Sequence, residues 1–158
     1  MFIAVLILMV YVGLLVYYCQ AVCQRSLRRQ FTQEFYQGIV RANRLEFPSV
    51  RRAIEDSGFH VEYPHLVVTL KCDFLALTYL LKNAANVNQR YTYKQYLLIL
   101  YFEVLYFSLI ARHWLGLREA PVVLKLTSIL QYFANVVGER VYSAQFGTLT
   151  ASDFLLDI

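Results

Sequence analysis

Charge is scarce in this chain and absent from its opening, for Met1 to Gln24 contain no Asp, Glu, Lys, Arg or His. Charged side chains make up 16% of the 158 residues and hydrophobic ones 58%, against about 25% and about 45–50% in soluble domains. That balance excludes intrinsic disorder and does not suit a freely soluble protein. The 6 Gly and 3 Pro are too few for a many-turned β-sandwich or a Gly-rich phosphate-binding loop. The 3 Cys give weak support to a reducing compartment, and no disulfide is expected. No G-x-S-x-G, G-x-x-x-x-G-K-[ST], G-x-G-x-x-G, C-x-x-C or H-E-x-x-H pattern occurs, which removes the usual supports for an enzymatic reading. A chain of this length has room for one domain.

The uncharged opening is itself the strongest signal. Twenty-four residues of helix at about 1.5 Å each reach roughly 36 Å, enough to cross a hydrocarbon core of about 30 Å with some tilt. Eleven of the fifteen residues from Phe2 to Val16 are Leu, Ile, Phe or Val, each favourable by roughly 0.3–0.6 kcal/mol near a helix centre on insertion scales. Tyr17 and Tyr18 follow where an interfacial aromatic belt belongs. A cleaved signal peptide would carry its basic residues before the apolar run and a small-residue cleavage site after it. Here Arg25, Arg28 and Arg29 come after the run, and no A-x-A-like site precedes Cys19 or Cys23. The expectation is a retained anchor over 1–24.

Orientation is expected from the cations. Cys23 to Arg52 hold seven Arg and two acids, a net charge of +5, whereas Ala53 to Ile158 sum to −1. Positive juxtamembrane segments stay on the cytoplasmic side, so the N-terminus is expected outside and the main domain inside. Arg25, Arg28 and Arg29 are also the candidate contacts to membrane lipid headgroups. A pI near 9.0 that arises from residues beside an anchor gives little support to nucleic-acid binding.

After the anchor the apolar residues recur at three- and four-residue spacing, without sustained strand alternation. The fold class expected is all-α: one transmembrane helix, then a bundle of about four to five helices over 25–141 and a C-terminal tail over 142–158. Ser26 to Phe47 reads as an amphipathic helix ended by Pro48. A short helix follows from Pro48 with Val50 and Ile54 inward, stopped at Gly58, and Phe59 to Tyr63 are expected extended. Pro64 opens a helix with Leu66, Leu70, Phe74, Leu77 and Leu81 as one stripe, and Lys82 to Arg90 form a loop. Thr92 caps a helix running to about Leu115. From Tyr96 to Ala111 its only charge is Glu103, so it is either the central buried helix or a second span. Sixteen residues with a mid-segment acid fall short of the roughly 20 of a span, which favours the buried helix. Gly116 suits a stop, and Pro121 opens a last helix with Leu126, Ile129, Leu130, Phe133 and Val137 inward, closed by Gly138.

Glu103 is the sharpest chemical candidate, because a carboxylate on such a helix needs a cation or hydrogen-bond donors. A structural pair with a buried Arg or a Tyr hydroxyl is expected, since a lone acid without base, nucleophile or metal is no catalytic constellation. His60, His65 and His113 show no ligand spacing, so neither metal nor cofactor, haem included, is expected. His113 at a helix end suits the negative end of the helix dipole. Cys19 and Cys23 share one face at the inner end of the anchor, where S-acylation competes with plain packing, and packing is favoured. The 13 Tyr and 11 Phe exceed what a small core hides, and Tyr is enriched at interfaces. Tyr91, Tyr93 and Tyr96, with Phe154, Leu155 and Leu156, are the candidate partner contacts. The reading is a noncatalytic accessory subunit, held by one span and docked on an integral membrane protein in a hetero-oligomeric complex. Its runner-up is a membrane-tethered adaptor recruiting a soluble partner, and a helical enzyme comes third.

Overall fold

The computed structural model describes residues 2–27, 35–57, 62–83 and 92–156, with side chains described as far as Ala144. Every regular element among them is a helix: α1 (Phe2–Leu27), α2 (Tyr36–Asn43), α3 (Phe47–Ser57), α4 (Tyr63–Asn83), α5 (Tyr93–Trp114) and α6 (Ala120–Leu156). Four segments, Ile3–Arg25, Tyr63–Asn83, Tyr93–Trp114 and Ala120–Ala144, are long and apolar enough to cross a membrane.

The stripes read from the sequence are the buried faces. Leu66, Leu70, Phe74, Leu77 and Leu81 of α4, and Leu126, Ile129, Leu130, Phe133 and Val137 of α6, all lie in the core. Val50 and Ile54 anchor α3 to it. The central helix, however, is α6 and not α5. It packs against α2, α3, α4 and α5 at once, and two thirds of its apolar stretch is buried against about a fifth for α5. Both helices are rich in Leu and aromatics, so the neighbours, not the composition, decide which is enclosed.

Several element ends correct the sequence reading. The helix expected over Ser26–Phe47 is described only as α2, and it stops because Arg44 turns left-handed (φ 51°). The helix expected from Pro48 is α3, but no helix ends against Pro48, since α2 stops at Asn43. Pro48 sits in the first turn of α3, where its missing N–H would be unpaired anyway. Tyr63 begins α4 and is not extended, and Lys82 and Asn83 belong to α4 and not to a loop. Gly138 does not close the last helix, because α6 runs through it, and residues 142–156 continue α6. Gly58 and residues 84–90 lie outside the described residues.

Other ends are as the local chemistry dictates. Thr92 N–H donates to Gln95 Oε1 at 3.0 Å, the reciprocal bond of a capping box at the start of α5. Gly116 ends α5 in the left-handed region (φ +63°), which lacks a Cβ penalty only for glycine. Arg140 of α6 donates to the Leu81 carbonyl (2.6 Å) and to Gln95 Oε1 (3.3 Å). One guanidinium thereby satisfies a C-terminal carbonyl of α4 and braces the cap of α5.

Candidate functional site

Helices α4 and α5 run antiparallel, and their cross-contacts form a ladder. Tyr63 stacks on His113 at 3.4 Å, Tyr106 Oη–H donates to the Val67 carbonyl at 3.4 Å, and Phe74 stacks on Phe102 at 3.9 Å. Midway along both helices Lys71 Nζ donates to both oxygens of Glu103, at 2.7 and 2.9 Å. The ammonium also lies 5.1 Å from the Tyr106 ring centroid and 5.4 Å from that of Phe74, within the range of cation–π attraction.

The partner of Glu103 is thus a lysine, where an arginine or tyrosine hydroxyl was expected. Glu103 is not fully buried either: the side chains of Lys71 and Glu103 are 32% and 34% exposed. At that exposure the pair contributes no more than about 1 kcal/mol. Its two hydrogen bonds join α4 to α5 near the middle of both helices.

On either side of this seam the two helices leave apolar residues in solvent. On α5 the exposed stripe is Tyr93, Tyr96, Leu100, Val104, Phe107 and Trp114, at three- and four-residue spacing apart from the step across Ala111. On α4 it is Val68, Leu75 and Tyr79, with exposed Cys72 among them. Soluble monomers rarely show contiguous apolar patches above a few hundred Å². Of the expected contact residues, Tyr93 and Tyr96 lie on this face. Tyr91 and the side chains of Phe154, Leu155 and Leu156 lie outside the described residues. Arg25 is exposed at the end of α1, and Arg28 and Arg29 lie outside the described residues.

The opposite side of the bundle is polar. Asp73, 6% exposed, accepts the N–H of Phe47 (2.7 Å) and of Glu46 (2.9 Å) on one oxygen. Burial raises its pKa above the ordinary value, and the two amide bonds pull it back. Asp73 also places a negative charge at the N-terminus of α3, the favourable end of the dipole. Arg51 donates to Glu55 (2.9 Å) and to Gln131 (2.7 Å), and Tyr36 N–H donates to Asn135 Oδ1 (2.9 Å). An open cleft of about 820 Å³ along α2 and α3 is lined by Arg41, Arg51, Arg52 and Glu55 among others.

Sequence reasoning missed Asp73 as a structural acid, although it falls at the spacing of the inward α4 stripe, three residues after Leu70. His113 pairs with Glu119 (Nδ1 to Oε1, 2.7 Å) across the α5–α6 turn. His65 Nε2 is 4.0 Å from Glu46, and His60 lies outside the described residues. Among the described residues no three His, Cys, Asp or Glu gather to hold a metal. Cys23 is buried with its Sγ 3.8 Å from the Leu97 carbonyl, a packing contact between α1 and α5. Cys19 is half-buried. No protein-family model, curated sequence or solved structure matches the chain.

Proposed function

We propose that this protein is a noncatalytic accessory subunit, anchored by α1 as its single membrane crossing and docked through the exposed α4–α5 face on a larger integral membrane protein. The observation that carries the reading is that apolar face, set against the charged face of α2 and α3. If α4, α5 and α6 also crossed the bilayer, the start of α3 would sit at mid-depth. Asp73, which binds it, is central in α4, and Gln131, which binds Arg51, is central in the apolar stretch of α6. Arg44, Glu46 and Arg52, all exposed, would then face lipid. Each such charge costs about 2.5–3.5 kcal/mol on insertion scales, which disfavours four crossings. The arginines after Arg25 support a cytoplasmic bundle and an outer N-terminus.

The Lys71–Glu103 pair fits a protein neighbour better than lipid, because a partly exposed ion pair can be completed by polar groups of a partner. Purification in mild detergent tests the proposal. The chain is expected to co-purify stoichiometrically with a membrane protein, and Leu100→Asp with Phe107→Asp is expected to release that partner while the chain keeps its helical spectrum. Retention of the same partner by the double variant, or isolation of the wild type alone, contradicts the proposal.

A further inference from the structure

The cleft along α2 and α3 is built from fixed parts. Arg44, a left-handed residue that is not glycine (φ 51°), turns the chain at the end of α2, while Leu45 N–H donates to the Val40 carbonyl at 3.1 Å. Such a conformation persists only where its surroundings hold it, and Asp73 binds the amides of Glu46 and Phe47 just after it. Leu45 and Phe47 are buried in the wall of the cleft, and Val40 lines it beside them. Arg51 is fixed as well, since its Nε donates to Glu55 at 2.9 Å and its Nη1 to Gln131 at 2.7 Å.

Charge and size identify the occupant. Three arginines and one glutamate line the cleft, a net charge of +2, where the whole chain carries +4. Glu55 is engaged by Arg51. Among the described residues neither Arg41 nor Arg52, both exposed, has a carboxylate within ion-pair distance. Arginine meets phosphate through paired N–H donors, and a phosphomonoester carries a charge of about −1.5 to −2 at pH 7, which matches the cleft. The volume of about 820 Å³ is more than a phosphate fills and lies within the roughly 300–1,000 Å³ of small-molecule sites, so the phosphate is expected to carry an organic body.

We infer that the α2–α3 cleft binds an organic phosphomonoester, with Arg41 and Arg52 on the phosphate, Arg51 as a further donor and the organic part along Val40, Leu45 and Phe47. Glu55 and Gln131 already order Arg51, so little of its side-chain freedom is lost when the ligand arrives. A soluble phosphomonoester and the headgroup of phosphatidic acid offer the same chemical group. Binding there does not depend on how many times the chain crosses a membrane.

Titration calorimetry of the full chain in an uncharged maltoside detergent tests the site with two probes. One is phenyl phosphate in solution, and the other is dioleoylphosphatidic acid in mixed micelles, with the diester dioleoylphosphatidylglycerol as control. Saturable binding of a phosphomonoester is expected. Phenyl phosphate bound as well as phosphatidic acid identifies a soluble source, and phosphatidic acid bound alone identifies the lipid. Arg41→Gln with Arg52→Gln is expected to weaken binding roughly tenfold or more, the loss of charge-assisted hydrogen bonds, while the helical spectrum is kept. Arg118→Gln, an exposed arginine in the turn between α5 and α6, is expected to leave binding unchanged. Should the double variant lose its helical spectrum, Arg52→Gln alone is judged by the same criterion. Absence of binding by both probes overturns the inference, as does binding that the cleft variants leave intact. Equal binding of phosphatidylglycerol, or equal weakening by Arg118→Gln, overturns it too, because net charge and not the cleft would then hold the anion.

Discussion

Replacing Gly138 by leucine is expected to lower the melting temperature of the full chain in mild detergent by roughly 6–12 °C, from a loss of about 3 kcal/mol at about 2–4 °C per kcal/mol for a chain of this size. A Cβ built on Gly138 collides with the Phe35 Cβ and comes within 3.2 Å of the Phe35 carbonyl oxygen and 3.3 Å of its carbon. Two of those atoms are backbone, so a rotamer change cannot relieve the contact. The segment leading into α2 would have to move off α6, straining the adjacent bond from Tyr36 N–H to Asn135. Helix propensity alone predicts the opposite sign, because replacing a mid-helix glycine removes a penalty of about 0.8–1.0 kcal/mol relative to alanine. Thermal unfolding followed by circular dichroism therefore decides between the two by direction. A melting temperature that holds or rises would show that α2 does not pack on α6 at this point.

The second large effect is expected at Asp73. Asp73→Leu removes the acceptor of two N–H groups at the start of α3, and a buried donor left unsatisfied costs about 1–3 kcal/mol. A loss of about 3 kcal/mol in all is expected. Asp73→Asn keeps a carbonyl oxygen where Oδ2 accepts both bonds and removes a charge that burial disfavours, so it is expected to stay within about 1 kcal/mol of wild type. Denaturant titration of the three proteins in one detergent checks the order. Equal losses for Leu and Asn would mean that the charge, and not the acceptor geometry, holds α3 in place.

What was legible in the sequence was periodic. The inward residues of α4 and α6 follow from three- and four-residue spacing because a helix repeats every 3.6 residues, and neighbours need not be known to find its apolar stripe. Gly116 and Thr92 were legible for a related reason, since a left-handed terminator and a capping side chain act within one turn. The misses all depend on distant partners. Gly138 reads locally as a stop, and only Phe35, far away in sequence, shows that it is a place of close approach. Pro48 reads both as the end of one helix and as the start of the next, and only the second holds, because α2 stops earlier, at Asn43. Arg44 carries no terminator signal, because its left-handed backbone answers to the docking of α2 and α3 on α6. The candidate face was half legible. Tyr93 and Tyr96 stood out by residue type, but the stripe continuing through Leu100, Val104 and Phe107 is apolar on a helix whose buried face is apolar too. Lys71 as the partner of Glu103 required the antiparallel pairing of α4 with α5.

The central claim is that the chain crosses the membrane once and that its bundle stands on the arginine-bearing side. The most direct measurement places one cysteine at exposed Arg52 on α3, in a chain whose three native cysteines are replaced by alanine or serine, and labels it with a membrane-impermeant maleimide. The account predicts full labelling in inverted membrane vesicles and none in sealed right-side-out ones. Protection in both preparations, or labelling only from the outer side, would contradict it.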